Sequence, residues 1–389
     1  MGLSLSNINN RAILHMDLDS FFVSVECLKN NKFLGKPLII GGTSNRGVVA
    51  SCSYEARRFG VQSAMPMRMA LRLCPDAIVL KGDMETYSQY SSLVTEIIKH
   101  DAPVLEKSSI DEFYLDLTGM DRYIGCYNWA RELRTKVTRE TGLPISFGLS
   151  VNKLVSKVGT SEAKPNGTIK IAAGTEREFL APLSTAKIPS IGKVTYKKLS
   201  FMGVRTVKTL REIPAKLLER EFGKQGTDLW QKANAIDNSP VIPYDEQKSM
   251  STERTFSVDT TDVRKMQDIL LGMVTTLAFD LRKSGKLTSC ITIKIRYADF
   301  NTYTIQKRIS YTAQDKELIK YAQELFVKLN ERRQLIRLIG VRFSSLVRGC
   351  YQINLFDDTV EDISLLQQLD RIRNRFGSKI ISRANCIPA

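Results

Sequence analysis

No apolar run in the 389 residues approaches the roughly 20 residues of a membrane-spanning helix, and no basic flank leads into an apolar segment at the N-terminus. A membrane partner is therefore not expected. Histidine is nearly absent: His15 and His100 are the only two, which leaves histidine metal sites and charge relays almost no material. Cysteine is present but unorganised. The seven residues (Cys27, Cys52, Cys74, Cys126, Cys290, Cys350 and Cys386) form no C-x-x-C pair, and an odd number at such spacings points to reduced thiols in a cytoplasmic protein. Acidic residues are the scarce charge, 41 Asp and Glu against 57 Lys and Arg, for a formal net charge of +16.

That excess is segregated. Residues 1–167 carry 20 basic against 17 acidic side chains, residues 168–235 carry 13 against 6, and residues 248–350 carry 19 against 10. Solubility alone does not require such segregation. It predicts a polyanion gripped by the later segments and presented to a nearly neutral first half.

The first half holds the few acidic residues that matter. Ala12 to Phe22 (AILHMDLDSFF) and Ser108 to Leu117 (SSIDEFYLDL) both read as strands, rich in aliphatic and aromatic residues, with carboxylates at one end. Burying adjacent negative charges is costly unless a cation meets them. Hard carboxylate oxygens from two strands suit Mg²⁺, which shares its shell with water and substrate phosphates. Asp17, Asp111 and Glu112 are thus the candidate ligands of a two-metal phosphoryl-transfer site. Because neighbouring strand side chains alternate faces, a turn or bulge at the strand start has to bring Asp111 and Glu112 to one place. His15 is expected to be a packed strand residue.

Apolar spacing predicts a helix over 21–28, and the free amides of Ser20 and Phe21 at its start are candidates to receive phosphate oxygens. Strands are expected over 36–42, 48–53 and 145–150, and helices over 54–58, 65–73, 85–100, 127–141 and from 152 to the Lys164-Pro165-Asn166-Gly167 turn. Tyr54 and Arg57, three apart, share a helix face. Alternating strands and helices describe an α+β catalytic layer.

Beyond Gly174 the chain turns helical and basic. Ile188 to Val204 reads as a helix-hairpin-helix, in which Ile191 and Gly192 form the turn that offers amides to a phosphate, with charge from Lys193, Lys197 and Lys198. Residues 236–247, with two prolines and no basic residue, read as a linker. The following segment predicts a four-stranded sheet with two helices on one face, leaving the other for a polyanion; Lys294, Arg296, Lys307, Arg308 and Arg342 are the candidates there.

Four stretches stand in order: MDLDSFF (16–22), SYEARRFGV (53–61), SSIDEFYLD (108–116) and AKPNG (163–167). With the helix-hairpin-helix behind them, residues 11–350 resemble the Y-family translesion DNA polymerases, nearest the bacterial DNA polymerase IV branch. The resemblance implies a right-hand polymerase fold: palm over 11–23 and 75–167, fingers over 24–74, thumb over 168–235 and little finger over 248–350. It implies Mg²⁺, two per site, on Asp17, Asp111, Glu112 and the Leu18 carbonyl, with primer-template DNA and dNTP as substrates. Ser51, Tyr54, Arg57 and Lys164 match the positions around the incoming triphosphate, and Phe22 matches the ring that excludes a ribose 2′-hydroxyl. Asp19 and Asp116 match positions the family does not use as principal ligands. In the tail, 351–389, the run Gln352-Ile353-Asn354-Leu355-Phe356 resembles the peptide that binds the bacterial sliding clamp, with Gln352, Leu355 and Phe356 as its contacts. No segment resembles a proofreading exonuclease, and a monomer is expected. A nucleotidyl cyclase, and a polymerase-like adaptor that binds DNA without catalysis, are the competing classes. The basic later segments argue against the first and the intact set of carboxylates against the second.

Overall fold

The computed structural model describes residues 11–44, 46–120, 125–243, 246–349, 360–377 and 380–381, and its chain falls into two compact units, residues 1–245 and 246–389. The first unit begins with β1 (Ile13–Leu18), α1 (Phe21–Lys29), β2 (Leu38–Gly41), β3 (Val49–Cys52), α2 (Tyr54–Arg58), α3 (Met67–Leu73) and β4 (Ile78–Leu80). It continues with α4 (Met84–Asp101), β5 (Leu105–Lys107), β6 (Glu112–Asp116), α5 (Cys126–Thr141), β7 (Ile145–Ser150), α6 (Lys153–Ala163) and β8 (Thr168–Lys170). Five short helices close it: α7 (Glu176–Leu180), α8 (Lys193–Phe201), α9 (Val207–Glu212), α10 (Ala215–Phe222) and α11 (Lys224–Ala233). The strands and helices predicted from periodicity appear within a few residues of their expected limits. The short strands β4, β5 and β8 do not announce themselves, since three residues are too few to show alternation.

A five-stranded sheet of order β5-β6-β1-β7-β8 carries the two acidic runs, with β1 in the middle and antiparallel to both β6 and β7. Every second side chain of β1 has its own role. Leu14, Met16 and Leu18 join Val94 and Ile98 of α4 and Leu133 and Val137 of α5 in the main core. Ile13, His15 and Asp17 take the other side, where Ile13 meets Tyr114 and Val241 and where α6 lies. Residues 38–41, 49–52 and 78–80 form a separate three-stranded sheet, order β3-β2-β4, with its own small core of Ile39, Val49, Cys52, Ala56 and Met67.

Helix α6 is seated on β1. Its N-terminus is capped by Asn152, whose side chain accepts from Val155 N at 2.9 Å. The hydroxyls of Ser156 and Thr160 donate to the β1 carbonyls of Ile13 (2.7 Å) and His15 (3.0 Å). So close an approach is possible because Gly148 has no side chain: a Cβ there would press into Ser156 O and lie 2.6 Å from Thr160 N.

The segment read as a linker is partly structural. Asp237 accepts from Leu154 N at 2.9 Å, Ile242 N donates to Glu106 Oε2 at 2.7 Å, Arg11 donates to Ser239 O at 2.9 Å, and Val241 is buried. Residues 236–242 are thus laid along α6 and the sheet. Their polar, proline-containing composition resembles a free linker, but one buried valine and a helix-capping aspartate tie them down.

The second unit is a four-stranded antiparallel sheet, order β11-β10-β12-β9, formed by β9 (Ser249–Thr260), β10 (Lys286–Tyr297), β11 (Thr302–Thr312) and β12 (Ile336–Arg348). Helices α12 (Val263–Lys283) and α13 (Asp315–Leu329) share a core with Ile291, Ile293, Ile295, Val341 and Phe343 on one side of it. A further helix, α14 (Val360–Phe376), is held to this unit by Arg282, which donates to both oxygens of Asp370 (2.6 and 2.9 Å) and to Asp315 (2.6 Å).

Replacing Gly148 with Ala should lower stability by about 2–4 kcal/mol, because α6 cannot retreat from β7 without breaking both hydroxyl bonds to β1. Urea denaturation of the purified variant checks this; native stability would mean that α6 is not wedged where we place it.

Candidate active site

The register of β1 against β6 sets Asp17 opposite Glu112, and Leu18 N donates to Asp111 O at 3.1 Å. The two acidic runs therefore meet side by side: β1 carries its carboxylate at its C-terminal end and β6 at its N-terminal end, and antiparallel pairing brings those two ends together. The expected turn is present. Ser109 Oγ receives the amides of Asp111 (3.2 Å) and Glu112 (3.0 Å) and donates to Asp111 Oδ1 at 2.6 Å. Glu112 is the first residue of β6, while Asp111 belongs to the turn and escapes the strand's alternation.

Asp17 reports on this crowding. Burial chiefly, with the charges of Asp111 and Glu112, pushes its pKa up to about 6 against the opposing pull of Lys164. Two lysines answer the carboxylates: Lys164 Nζ lies 2.6 Å from Asp17 Oδ1, and Lys157 Nζ lies 2.7 Å from Glu112 Oε2. Lys153, one turn before Lys157, holds both oxygens of Glu106 at 2.6 and 2.8 Å. Sequence reasoning overlooked Lys153 and Lys157. Their spacing of four from one another, with Lys164 seven further on, was the available signal, since those offsets share one helical face. Among the described residues no three carboxylate, histidine or cysteine side chains form a ready cation cage. Three hard, partly solvated carboxylates under mutual repulsion nevertheless match the donor set of a hard divalent ion.

Asp19 belongs to a different network. Almost fully buried, it accepts from Ser146 Oγ (2.7 Å), Asn166 N (2.7 Å) and Tyr54 OH (3.3 Å). Its oxygens are engaged in joining β1, β7, α2 and the turn after α6, which explains why a carboxylate so near the cluster has a structural role. Burial first, then the Asp19 charge, raises the Tyr54 hydroxyl to about 12, so it remains a donor. Arg57 stacks on the Tyr54 ring at 4.8 Å, as their spacing predicted. Ser51 is buried in β3, three residues before Tyr54. Ser20 caps α1 in the left-handed region (φ 42), turning the chain so that the first-turn amides of Phe21 and Phe22 start the helix just beyond Asp19.

Phe22 is half-buried and locked. Its ring stacks on Tyr87 of α4 with centroids 4.4 Å apart and planes 12° from parallel. Tyr87 is itself fixed by donating to the buried Glu26 at 2.8 Å. Tyr87 reads in the sequence only as part of the apolar face of α4.

The expected nucleic-acid contacts divide by exposure. Lys193 and Lys197 are exposed on α8, whose N-cap is Gly192 in extended backbone without a side-chain cap. Ile191 is different: its side chain is buried in the helical core with Leu199 and Val204, and its amide donates to Ile188 O at 3.1 Å, so the structure corrects its expected role as a phosphate donor. In the second unit, pairing puts Lys294, Arg296, Arg308 and Arg342 on the sheet face away from the helices. Lys307 faces the helices, bonded to Glu324 at 2.9 Å. Lys294 is paired with Glu253 at 2.5 Å and Arg296 donates to Thr302 at 2.8 Å. Gln352, Leu355 and Phe356 lie outside the described residues.

Comparison with known proteins agrees with this architecture. The impB/mucB/samB family matches residues 16–161, its C-terminal domain residues 247–355, and the DNA polymerase-iota thumb domain residues 186–237. The chain is similar to the DNA polymerase IV of Dehalococcoides mccartyi, 38% identical over 94% of this chain and 95% of that one. It is also similar to the DNA polymerase IV of Desulfatibacillum aliphaticivorans, 34% identical over 96% of each. Among solved structures, a Y-family DNA polymerase chimera, Dbh-Dpo4(243-245)-Dbh, superposes with a TM-score of 0.75 at 26% identity, covering 87% of this chain and 100% of that one. DinB from Sulfolobus solfataricus superposes with a TM-score of 0.61 over the same shares. A palm-like sheet with three carboxylates, a helical segment and a four-stranded C-terminal unit define the class, and the chain belongs to the Y-family DNA polymerases, in the group of the DNA polymerase IV proteins.

Asp19→Asn should cost about 2–4 kcal/mol of stability, since an amide NH₂ then faces hydrogen-bond donors in a buried site. Denaturation together with Mn²⁺ titration tests it. Native stability with lost metal affinity would make Asp19 a ligand instead of a tie.

Proposed function

We propose that this chain is a template-directed translesion DNA polymerase, extending a primer 3′-hydroxyl from dNTPs, error-prone and without proofreading. The observation that carries the reading is the register that brings Asp17, Asp111 and Glu112 together from two distant stretches of chain. The resemblance of residues 11–350 to the family supports assigning 11–23 and 75–167 to the palm, 24–74 to the fingers, 168–235 to the thumb and 248–350 to the little finger. Among the described residues no helix is long and apolar enough to cross a membrane. We place the protein in the cytoplasm as a monomer.

Asp17, Asp111, Glu112 and the Leu18 carbonyl would hold two Mg²⁺, which when bound supply Lewis-acid activation of the 3′-hydroxyl and neutralise the departing pyrophosphate. The chain's own groups do the positioning. Amides at the start of α1, around Ser20 and Phe21, would receive phosphate oxygens of a nucleotide beside Asp17. Tyr54, Arg57 and Lys164 add one hydrogen-bond donor and two cations to the triphosphate, with Ser51 at the edge of the same pocket. Phe22 occupies the space of a 2′-hydroxyl, and its stacking on Tyr87 explains how a single ring can be stiff enough to discriminate. The amide of Gly192, with Lys193 and Lys197, would take duplex backbone without reading sequence, and Lys294, Arg296 and Arg342 a second stretch of it. Gln352, Leu355 and Phe356 would tether the enzyme to a bacterial sliding clamp.

Asp111→Asn and Glu112→Gln should each reduce Mg²⁺-dependent primer extension about a thousandfold while leaving primer-template binding intact. Retained synthesis would overturn the site, and DNA binding without any incorporation by the native chain would point to a non-catalytic adaptor. Phe22→Ala should admit ribonucleotides, read as rNTP against dNTP incorporation; unchanged discrimination would remove the gate. Deleting 352–356 should abolish only the stimulation of synthesis by a bacterial clamp, and equal loss without clamp would refute the tether.

A further inference from the structure

Three lysines each hold a carboxylate of the sheet, two from one face of α6 and one from the turn after it: Lys153 on Glu106, Lys157 on Glu112 and Lys164 on Asp17. The arrangement is built in. Helix α6 is fixed on β1 by the Ser156 and Thr160 hydroxyls, and the turn after it is tied by Asn166 N to Asp19. The lysine side chains are mostly shielded, Lys164 at 19% and Lys157 at 31% exposure, so their charges are poorly screened. Two of the three carboxylates assigned to metal binding thus already have a cation on one oxygen.

We propose that Lys157 and Lys164 are exchangeable counter-ions: they occupy Glu112 and Asp17 while the site holds no metal, and metal entry displaces them. Lys164 then moves from Asp17 to the triphosphate. This rests on the reading above that Asp17 and Glu112 are metal ligands. Its physical basis is that an ammonium and a divalent ion compete for the same oxygen, while two carboxylates and their neighbours cannot remain crowded together without either. Two consequences follow. Divalent ions bind the nucleotide-free enzyme weakly, because each has to dislodge an ion pair. Nucleotide and metal then help one another, because a triphosphate that draws Lys164 away frees Asp17, and such coupling is reciprocal. Lys157 has no phosphate to move to, so it should set metal affinity without contributing to the coupling.

The test is Mn²⁺ binding by the full chain without DNA, followed by electron paramagnetic resonance at one fixed pH of about 8. Lys164→Met should tighten Mn²⁺ about tenfold in the absence of nucleotide and reduce the further tightening that dTTP brings by a similar factor. Lys164→Arg should stay near native. Lys157→Met should tighten Mn²⁺ and leave the dTTP effect intact, and Lys153→Met, whose partner Glu106 is not a metal residue, should change neither. Thermal melting confirms that each variant is folded. Unchanged or weaker Mn²⁺ binding by Lys164→Met overturns the exchange, and an equal shift in all three Lys→Met variants reduces it to an effect of net charge. Asp17→Asn separates the two levels. If it binds Mn²⁺ as the native chain does, the metal-site reading fails; if it loses binding while Lys164→Met is unchanged, only the exchange fails.

Discussion

Asp17, Asp111 and Glu112 repel one another, and the fold nevertheless holds them at the matching ends of two antiparallel strands. Most of the surrounding structure can be understood as the means of keeping that repulsion tolerable. The strands themselves are anchored by apolar residues on both faces of β1, so the backbone cannot splay to relieve the charge. Ser109 in the 108–112 turn accepts from the amides of Asp111 and Glu112, fixing where that acidic pair emerges. Positive charge then arrives from α6. Lys164 among these groups opposes the burial that raises the pKa of Asp17.

The placement of that positive charge depends on a contact that carries none. Gly148 allows α6 to lie against β7, and two hydroxyls bind it to β1; only then do lysines four residues apart reach carboxylates on β5 and β6. Asp19 supplies the second constraint. By taking hydrogen bonds from Ser146, Tyr54 and Asn166 it joins the catalytic sheet to α2 and to the turn that carries Lys164. One buried carboxylate thereby sets the positions of several groups that we propose meet the nucleotide. A third constraint is aromatic: Phe22 is rigid because Tyr87 is rigid, and Tyr87 is rigid because it ends on Glu26.

Local pattern was sufficient for the elements themselves. Alternating or helical spacing of apolar residues marks nearly every long strand and helix, and a carboxylate at the end of an apolar run is conspicuous because it is costly to bury. The second unit shows the same strength: strand parity placed Lys294, Arg296 and Arg342 on one face. It also shows the limit, since Lys307, adjacent to Arg308 in the chain, turns to the helices and bonds Glu324. Residues 236–242 illustrate a different failure. Their composition is that of a linker, and only the fit of Val241 against Ile13 and Tyr114 makes them part of the sheet's cover.

The sequence by itself determined which residues could do the chemistry: three carboxylates on two strands, a phenylalanine at a helix start, a tyrosine and an arginine on one face, and basic charge confined to the later segments. Those properties are carried by residue type and by the short repeat of strand or helix. The tertiary structure decided the partners. The pairing of Lys157 with Glu112, the seating of Phe22 on Tyr87, the engagement of Asp19 and the burial of Ile191 each depend on how distant segments dock. Docking is set by register and shape summed over the whole core, which no local pattern encodes.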